Sequence, residues 1–345
     1  MGNLKIQTNK TIENWTSFTL INDNDVKISL LDFGGIITEI IVPDKNGNME
    51  NIVLGYHNHE KYKSNPNFFG AIIGRVAGRI QNSSFTHNGE SFFLEANEGK
   101  HHLHGGNNGF HKAIWEAEPF QTIDQVGVKL THTSPDGEGG YPGNIQANVT
   151  YTLTNDNQLI IDYDATTDKT TALTMTNHSY FNLNGNVSDT IHHHHISMNS
   201  QQFIELNHDL IPTGNVVSVD GTPFDFRQGR MLEDGIHSNY EQNKLVGNGY
   251  DHYFIFDQDP NVLVTESNSG RTLTIQTNQP GMVMYTSNSI VDDLDQDGIQ
   301  SEKYLGVCFE TQASPASLHF DRMPTVVLGE NQVYKKQTVF TFGIV

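Results

Sequence analysis

Two stretches carry groups that could move protons. Residues 177–184 read NHSYFNLN, a histidine among aromatic and amide side chains. Imidazole titrates near neutral pH, so His178 could donate or accept a proton; it could also be a core histidine whose ring nitrogens are satisfied by backbone. Residues 306–312 read GVCFETQ. As a strand, this run puts Cys308, Glu310 and Gln312 on one face and Val307, Phe309 and Thr311 on the other. A glutamate among apolar and small residues is desolvated, which raises its pKa. That suits a general base if a neighbour keeps it ionised, and it equally suits a buried ion-pair partner. In GYDHYFIF, residues 249–256, Asp251 stands at the mouth of an aromatic strand. A carboxylate there can accept from sugar hydroxyls or cap a turn.

Four further stretches have a chemical and a structural reading. Gly70, Gly74 and Gly78 recur every four residues in FGAIIGRVAGRI. A dinucleotide loop needs G-x-G after a strand, so this spacing excludes one. Arg75 and Arg79 exclude a small-residue seam between membrane helices. Glycines so placed let a backbone or a ligand approach closely. Arg79 could fork onto vicinal hydroxyls or a carboxylate, or stand in an ion pair. HHLHGG, residues 101–106, offers His101 and His104 as metal ligands, but no cysteine joins them. The alternatives are a surface loop and, since the glycines after it suggest a turn that exposes the His104 ring, a contact to substrate. If extended, His192–His195 alternates, with His192 and His194 on one face and His193 and His195 on the other, and reads as an adventitious metal binder. The acidic loop 292–298 contains DLDQDG, the first half of a calcium loop, but Tyr304 stands where the twelfth position needs a glutamate. It reads as a solvated loop.

The elements that must position these groups are strands. From Ile145 to Leu153 apolar residues alternate, Asn155-Asp156-Asn157 makes a turn, and Leu159 to Ala165 alternate again. Val26, Ile28 and Leu30 behave likewise, and Ile36 to Val42 returns before the turn Pro43-Asp44-Lys45-Asn46-Gly47. Leu273 and Ile275 precede the turn Gln279-Pro280-Gly281, with a strand from Met282 to Tyr285 after it. No run of about 12 residues holds a helical period. The expected class is all-β, a sandwich or barrel, over one domain spanning 1–345.

Composition narrows the partners. Forty acids against 20 bases give a formal charge of −20, which argues against nucleic acid and anionic membranes. The single cysteine, Cys308, forms no internal disulfide and fits a reducing compartment. The first residues lack a signal-peptide core, and no stretch approaches the roughly 20 apolar residues of a membrane span. The expectation is a soluble cytoplasmic protein.

Taken in order, the motifs resemble the aldose 1-epimerase (galactose mutarotase) family. They are GRVAGRI from Gly74, LHGG from Leu103, NHSYFNL from Asn177, DH from Asp251, QPG from Gln279 and CFETQ from Cys308. GYPG from Gly140 and FDFR from Phe224 look like family turns. The similarity covers nearly the whole chain. It implies a large antiparallel β-sandwich, the galactose mutarotase-like supersandwich. It also implies His178 as general acid and Glu310 as general base. Arg79, His104 and Asp251 would hold the sugar, and Gly78, Ser179, Tyr180 and Gln279 would be further contacts. Gly78 stands where many relatives have Asn, and the segment 313–324, ASPASLHFDRMP, departs from the commoner continuation. Both bear on sugar preference.

The implied chemistry is anomer exchange of a free aldohexose. The C1 hydroxyl loses a proton as the ring oxygen gains one, the open aldehyde turns about C1–C2, and the ring recloses on the other face. His178 is expected protonated and Glu310 ionised at rest. No metal or other cofactor is needed; the expected partner is a small monosaccharide, and the site as drawn needs one chain, a monomer or weak homodimer. Competing readings are a hexose-6-phosphate epimerase, disfavoured by only six arginines, a glycosidase using Glu310 with Asp251, and a non-catalytic sugar-binding module.

Overall fold

The alternating runs form antiparallel ladders in a computed structural model that describes residues 4–11, 13–258, 260–291, 294–295 and 301–345. Ile145–Thr154 pairs with Gln158–Thr167, placing Val149 opposite Tyr163 and Tyr151 opposite Ile161, all four buried. Lys27–Leu31 pairs with Ile37–Pro43. At the turn that follows, the Asp44 carboxylate accepts from the Asn46 and Asn48 amides at 2.8 Å each. This is an Asx turn, the short-range chemistry that makes Asp and Asn frequent at such positions.

Among the described residues three large sheets form, beside four two-stranded ladders. A five-stranded sheet runs Lys5–Lys10, Thr16–Ile21, Lys27–Leu31, Ile37–Pro43, Met49–Asn51. A nine-stranded sheet runs Glu116–Gln121, Gln125–Ser134, Ile145–Thr154, Gln158–Thr167, Val333–Ile344, Arg271–Thr277, Asn261–Thr265, His195–Met198, Arg230–Met231. A six-stranded sheet runs Tyr180–Phe181, Val307–Gln312, Gly281–Tyr285, Asp251–Ile255, Gln202–Leu206, Pro212–Ser218. One buried cluster draws on all three: Leu20 and Ile28, Tyr151 and Leu273, Phe254 and Phe309. Each such side chain contributes about 1.5–3 kcal/mol on burial, so this shared core is what locks sheet against sheet. The architecture is the expected all-β sandwich. Helices Glu233–Ile236 and Glu241–Leu245 are about one turn each. No helix among the described residues is long and apolar enough to cross a membrane.

The six-stranded sheet is what positions the site. Its register sets Asp251 opposite Tyr285, Tyr285 opposite Cys308, and Cys308 opposite Tyr180. One row over, Tyr253 faces Val283 and Val283 faces Glu310. Side chains alternate across a strand, so Cys308, Glu310 and Gln312 share the face with Asp251 and Tyr253, while Val307, Phe309, Met284 and Phe254 enter the core.

The reading of the histidine run needs correction, and most of the acidic loop lies outside the described residues. His192–His195 does not alternate along a strand: Ile191–His193 is a 3-10 turn and the strand begins at His195. His194 is buried and its Nε2 accepts from the Leu183 amide at 2.8 Å. A ring nitrogen so occupied serves the fold. Of the acidic stretch 292–298, only Leu294 and Asp295 are described. The Asp295 carboxylate accepts from the His57 and Asn58 amides at 2.8 and 2.7 Å.

Candidate active site

The family motifs are neighbours in space because the sheets bring them there. Arg79–Ile80 pairs with His102–Leu103, so GRVAGRI lies against LHGG. Thr176–Asn177 pairs with Ile72–Ile73, and the His178 amide donates to the Ala71 carbonyl at 2.9 Å. His178 is thereby held between the glycine-rich segment and the strand carrying Glu310. Gly105 permits the turn at His104, since a Cβ there would lie 1.9 Å from the Gly74 oxygen.

These elements enclose a cavity of about 400 Å³, in the size range of small-molecule sites. Gly78, Arg79, His104, His178, Tyr180, Asp251 and Glu310 line it. His178 Nε2 lies 3.5 Å from Glu310 Oε1, and both residues are buried. Arg79 grips Glu98 with a two-pronged contact, Nε to Oε2 at 2.7 Å and Nη2 to Oε1 at 2.9 Å. Its Nη1 reaches Asp251 Oδ2 at 3.6 Å. Arg79 therefore fills both roles left open by the sequence, ion-pair partner and cavity wall.

Arg75, four residues earlier, is wholly structural. It donates to Ser134 Oγ and to the carbonyls of Ser134, Pro135 and Pro142, pinning the GYPG turn. The three histidines of HHLHGG divide in the same way. His101 Nδ1 accepts from the Asn82 amide, and His102 is bonded to the Glu95 carbonyl and the Tyr141 hydroxyl. Only His104 faces the cavity.

Two expected contacts do not line it. The Ser179 hydroxyl donates to Asn177 Oδ1 at 2.6 Å. Gln279 Nε2 donates to the Tyr334 hydroxyl at 3.1 Å and to the Met175 carbonyl at 3.3 Å. Both side chains are spent on buried backbone and side-chain partners, so they brace the fold instead of reaching substrate. Tyr180 lines the cavity, but its hydroxyl donates to the Asn67 carbonyl at 2.9 Å. Sequence reasoning missed Glu98, which lies just before HHLHGG but inside no motif. It also missed Phe68, whose ring packs 4.9 Å from His104 and 5.9 Å from His178.

Burial sets the protonation. It pushes His178 down to about 4. It pushes Glu310 up to about 8, with the Asp251 charge adding and Arg79 opposing. Asp251 rises to about 6, again chiefly by burial, against the pull of Arg79. Burial thus favours the neutral form of each partner, imidazole and carboxylic acid, whereas the sequence reading expects the pair ionised at rest. A desolvated ion pair costs more than its neutral tautomer unless further donors and acceptors support it.

His104 is kept neutral, well below its ordinary range, by burial and then by His178 and Arg79. Its Nδ1 accepts from the Gly78 amide at 3.1 Å, so its ring proton sits on Nε2. His104, His178 and Glu310 each bring one ligand atom within 4.8 Å of the others, a spacing a metal ion would accept. A metal on Nε2 would require the proton on Nδ1, where Gly78 already donates. His104 is therefore built as a hydrogen-bond donor.

A carboxyl and an imidazole 3.5 Å apart in the wall of one cavity, flanked by an arginine, a second carboxylate and a neutral imidazole donor, fit a class: enzymes that act on a small polyhydroxylated substrate. Comparison with known proteins names the family within it. Residues 16–341 match the family described as aldose 1-epimerase. Galactose mutarotase from Bos taurus is 35% identical over 94% of this chain and 93% of its own. Maltose epimerase from Levilactobacillus brevis is 31% identical over 92% of each. The solved structure of galactose 1-epimerase from Lactobacillus acidophilus NCFM superposes with a TM-score of 0.89 at 28% identity, covering 99% of both chains. The chain belongs to the aldose 1-epimerase family, isomerases acting on carbohydrates.

Proposed function

We propose that the protein interconverts the α and β anomers of a free aldohexose such as glucose or galactose, with His178 as general acid and Glu310 as general base. The observation that carries this is the His178–Glu310 pair, 3.5 Å apart on the wall of one cavity. Anionic Glu310 takes the proton from O1, and imidazolium His178 delivers its Nε2 proton to O5. The C1–O5 bond breaks and C1=O1 forms. The enzyme is left as protonated Glu310 and neutral His178, the other tautomer of the same one-proton pair. After rotation about C1–C2 the two transfers run backward. A sugar hydroxyl donating to Glu310, together with Arg79, favours the ionised carboxylate and so moves the resting proton onto His178. Arg79, Asp251 and the Nε2–H of His104 hold the remaining hydroxyls, beside the backbone of Gly78 and the ring of Tyr180. Each positioned transfer typically contributes 10²–10⁴-fold. The working protein is read as a cytoplasmic single-domain chain whose site needs no partner subunit.

Polarimetry of freshly dissolved α-glucose and α-galactose tests the reading. Protein should speed the approach to equilibrium, and Glu310→Gln or His178→Ala should remove most of that acceleration. Unchanged relaxation with wild-type protein on both sugars would defeat it. A reducing disaccharide is a second substrate reading. It is favoured by the apolar outer wall of the cavity, Leu206, Leu210, Val246 and Val291, and by the relative named maltose epimerase. Fresh β-maltose in the same assay decides it.

A further inference from the structure

The reaction uses only one nitrogen of His178. Nε2 faces Glu310 and the cavity, while Nδ1 points away from both, and its side-chain neighbour is Cys308 Sγ at 3.6 Å, with both residues buried. That spacing is a hydrogen-bond distance for sulfur but long for oxygen. Cys308 reaches it because it sits two residues before Glu310 on the same face of Val307–Gln312, and because its register partner Tyr180 follows His178 closely in the chain. One short strand thus carries the base and touches the back of the acid.

We propose that Cys308 is a positioning residue of the reaction: its sulfur accepts a hydrogen bond from Nδ1–H of His178 and so keeps the exchangeable proton on Nε2. This rests on the assignment of His178 as the acid. Imidazolium that has given its Nε2 proton to O5 must remain in the Nδ1–H tautomer, with a bare Nε2 ready to take the proton back on ring closure. The other neutral tautomer has the proton on the cavity side and a bare Nδ1, and cannot accept in that step. An acceptor on Nδ1 selects the productive form.

A neutral sulfur suits the task better than a carboxylate. An anion behind the ring would raise its basicity and trap the proton. Burial holds the Cys308 thiol well above its ordinary pKa, with Glu310 and Asp251 adding, so it stays uncharged. The sulfur is a weak acceptor that orients the ring without fixing the charge. The main-chain carbonyl of His178 also favours the protonated ring. The other groups facing the pair are His104, at 5.3 Å between ring centroids, and Tyr180 at 5.1 Å, with His111 behind Phe68. Asp251 and Arg79 act from farther along the cavity.

The test combines kinetics with 15N-histidine NMR on the full chain. Cys308→Ala should lower kcat about tenfold, the scale of losing a partner that orients a functional histidine, while KM changes less than twofold. The acid limb of its pH–rate profile should move to lower pH, because the imidazolium has lost an acceptor. Cys308→Ser should recover little of kcat, because 3.6 Å is already long for oxygen and the shorter C–O bond holds Oγ farther from Nδ1. In the wild type, the His178 signals above the acid limb should show Nδ1 protonated, and Cys308→Ala should shift population to the Nε2–H form. A wild-type ring with bare Nδ1, or a folded Cys308→Ala with normal kcat and acid limb, overturns the proposal. If the alanine variant does not fold, the wild-type tautomer and the serine variant decide it. His178→Ala separates the layers: turnover retained there sinks the acid assignment itself, whereas a dead His178→Ala beside a normal Cys308→Ala sinks only the role of the sulfur.

Discussion

Two buried charged clusters in this molecule use the same residue types to opposite ends. Around Arg271, the guanidinium donates to the carbonyls of Leu183, Asn184 and Asn48 and to Glu50 Oε2 at 2.6 Å. Nearby Glu266 accepts from the Ser269 and Asn268 amides at 2.6 and 2.8 Å, and His194 accepts from the Leu183 amide. In the cavity, Glu310 has His178 at 3.5 Å and no backbone donor among the described residues. The carboxyls respond in opposite directions. Burial works to raise Glu266, but its backbone donors outweigh this and its pKa is lowered. Glu310 has no such donors and is pushed up to about 8. Burial alone therefore does not set the pKa of a carboxyl: whether backbone amides donate to it decides if the value rises or falls.

The contrast breaks most visibly by mutation. Glu310→Gln should cut the polarimetric kcat by roughly 10²–10⁴-fold, whereas Glu266→Gln should stay within threefold of wild type and lose thermal stability instead. Equal effects of the two on turnover would erase the distinction. His178→Ala should match Glu310→Gln, since the two transfers occur together.

The next effect concerns pH. Turnover needs one proton on the His178–Glu310 pair. It should fall below about 4, where both groups are protonated, and above about 8, where both are bare. A flat profile of kcat/KM between pH 3 and 10 contradicts the shared-proton site.

On the acid side the stability contribution of Glu310 should move the other way from activity. The folded-state pKa of Glu310 is raised from 4.5 to about 8, so the folded form is favoured by protonation. That contribution is fully present below 4.5 and is lost as pH rises through 8. Glu310→Gln removes the loss, so its Tm should exceed that of wild type by a few degrees at pH 8 and converge with it near pH 4. Glu266, with its pKa lowered, contributes above its ordinary range and loses that contribution in acid. Glu266→Gln should be the less stable protein at pH 7. A Glu310→Gln melt below wild type at pH 8 would show that the cavity carboxyl is satisfied in a way its geometry does not reveal.

The smallest expected effect tests the cavity rim. Gly78 has φ +89°, and a Cβ there would sit 3.1 Å from Pro315 Cγ in the divergent segment 313–324. Asn tolerates positive φ better than most residues, so Gly78→Asn should fold with a slightly lower Tm. It should change the ratio of glucose to galactose kcat/KM by only a few-fold.

Much of this was legible without coordinates. The alternation at 145–165 foretold its hairpin, and the same rule placed Cys308, Glu310 and Gln312 on one face. The order of motifs identified the family. Less legible was how a side chain spends its hydrogen bonds. Ser179 and Gln279 lie inside motifs yet are turned to Asn177, Met175 and Tyr334. Glu98 carries no motif yet takes both prongs of Arg79. The run His192–His195 looked extended, but a 3-10 turn interrupts it.

The division has a physical cause. Alternation is a property of neighbouring residues, so the chain by itself determined its strands, their inward faces and which of those faces carried chemistry. Protonation and contact are properties of the surroundings. The burial that raises Glu310, the Gly78 amide on His104 Nδ1 and the sulfur beside His178 Nδ1 were decided only when distant strands closed around one cavity. There desolvation and the shortage of backbone partners set each charge.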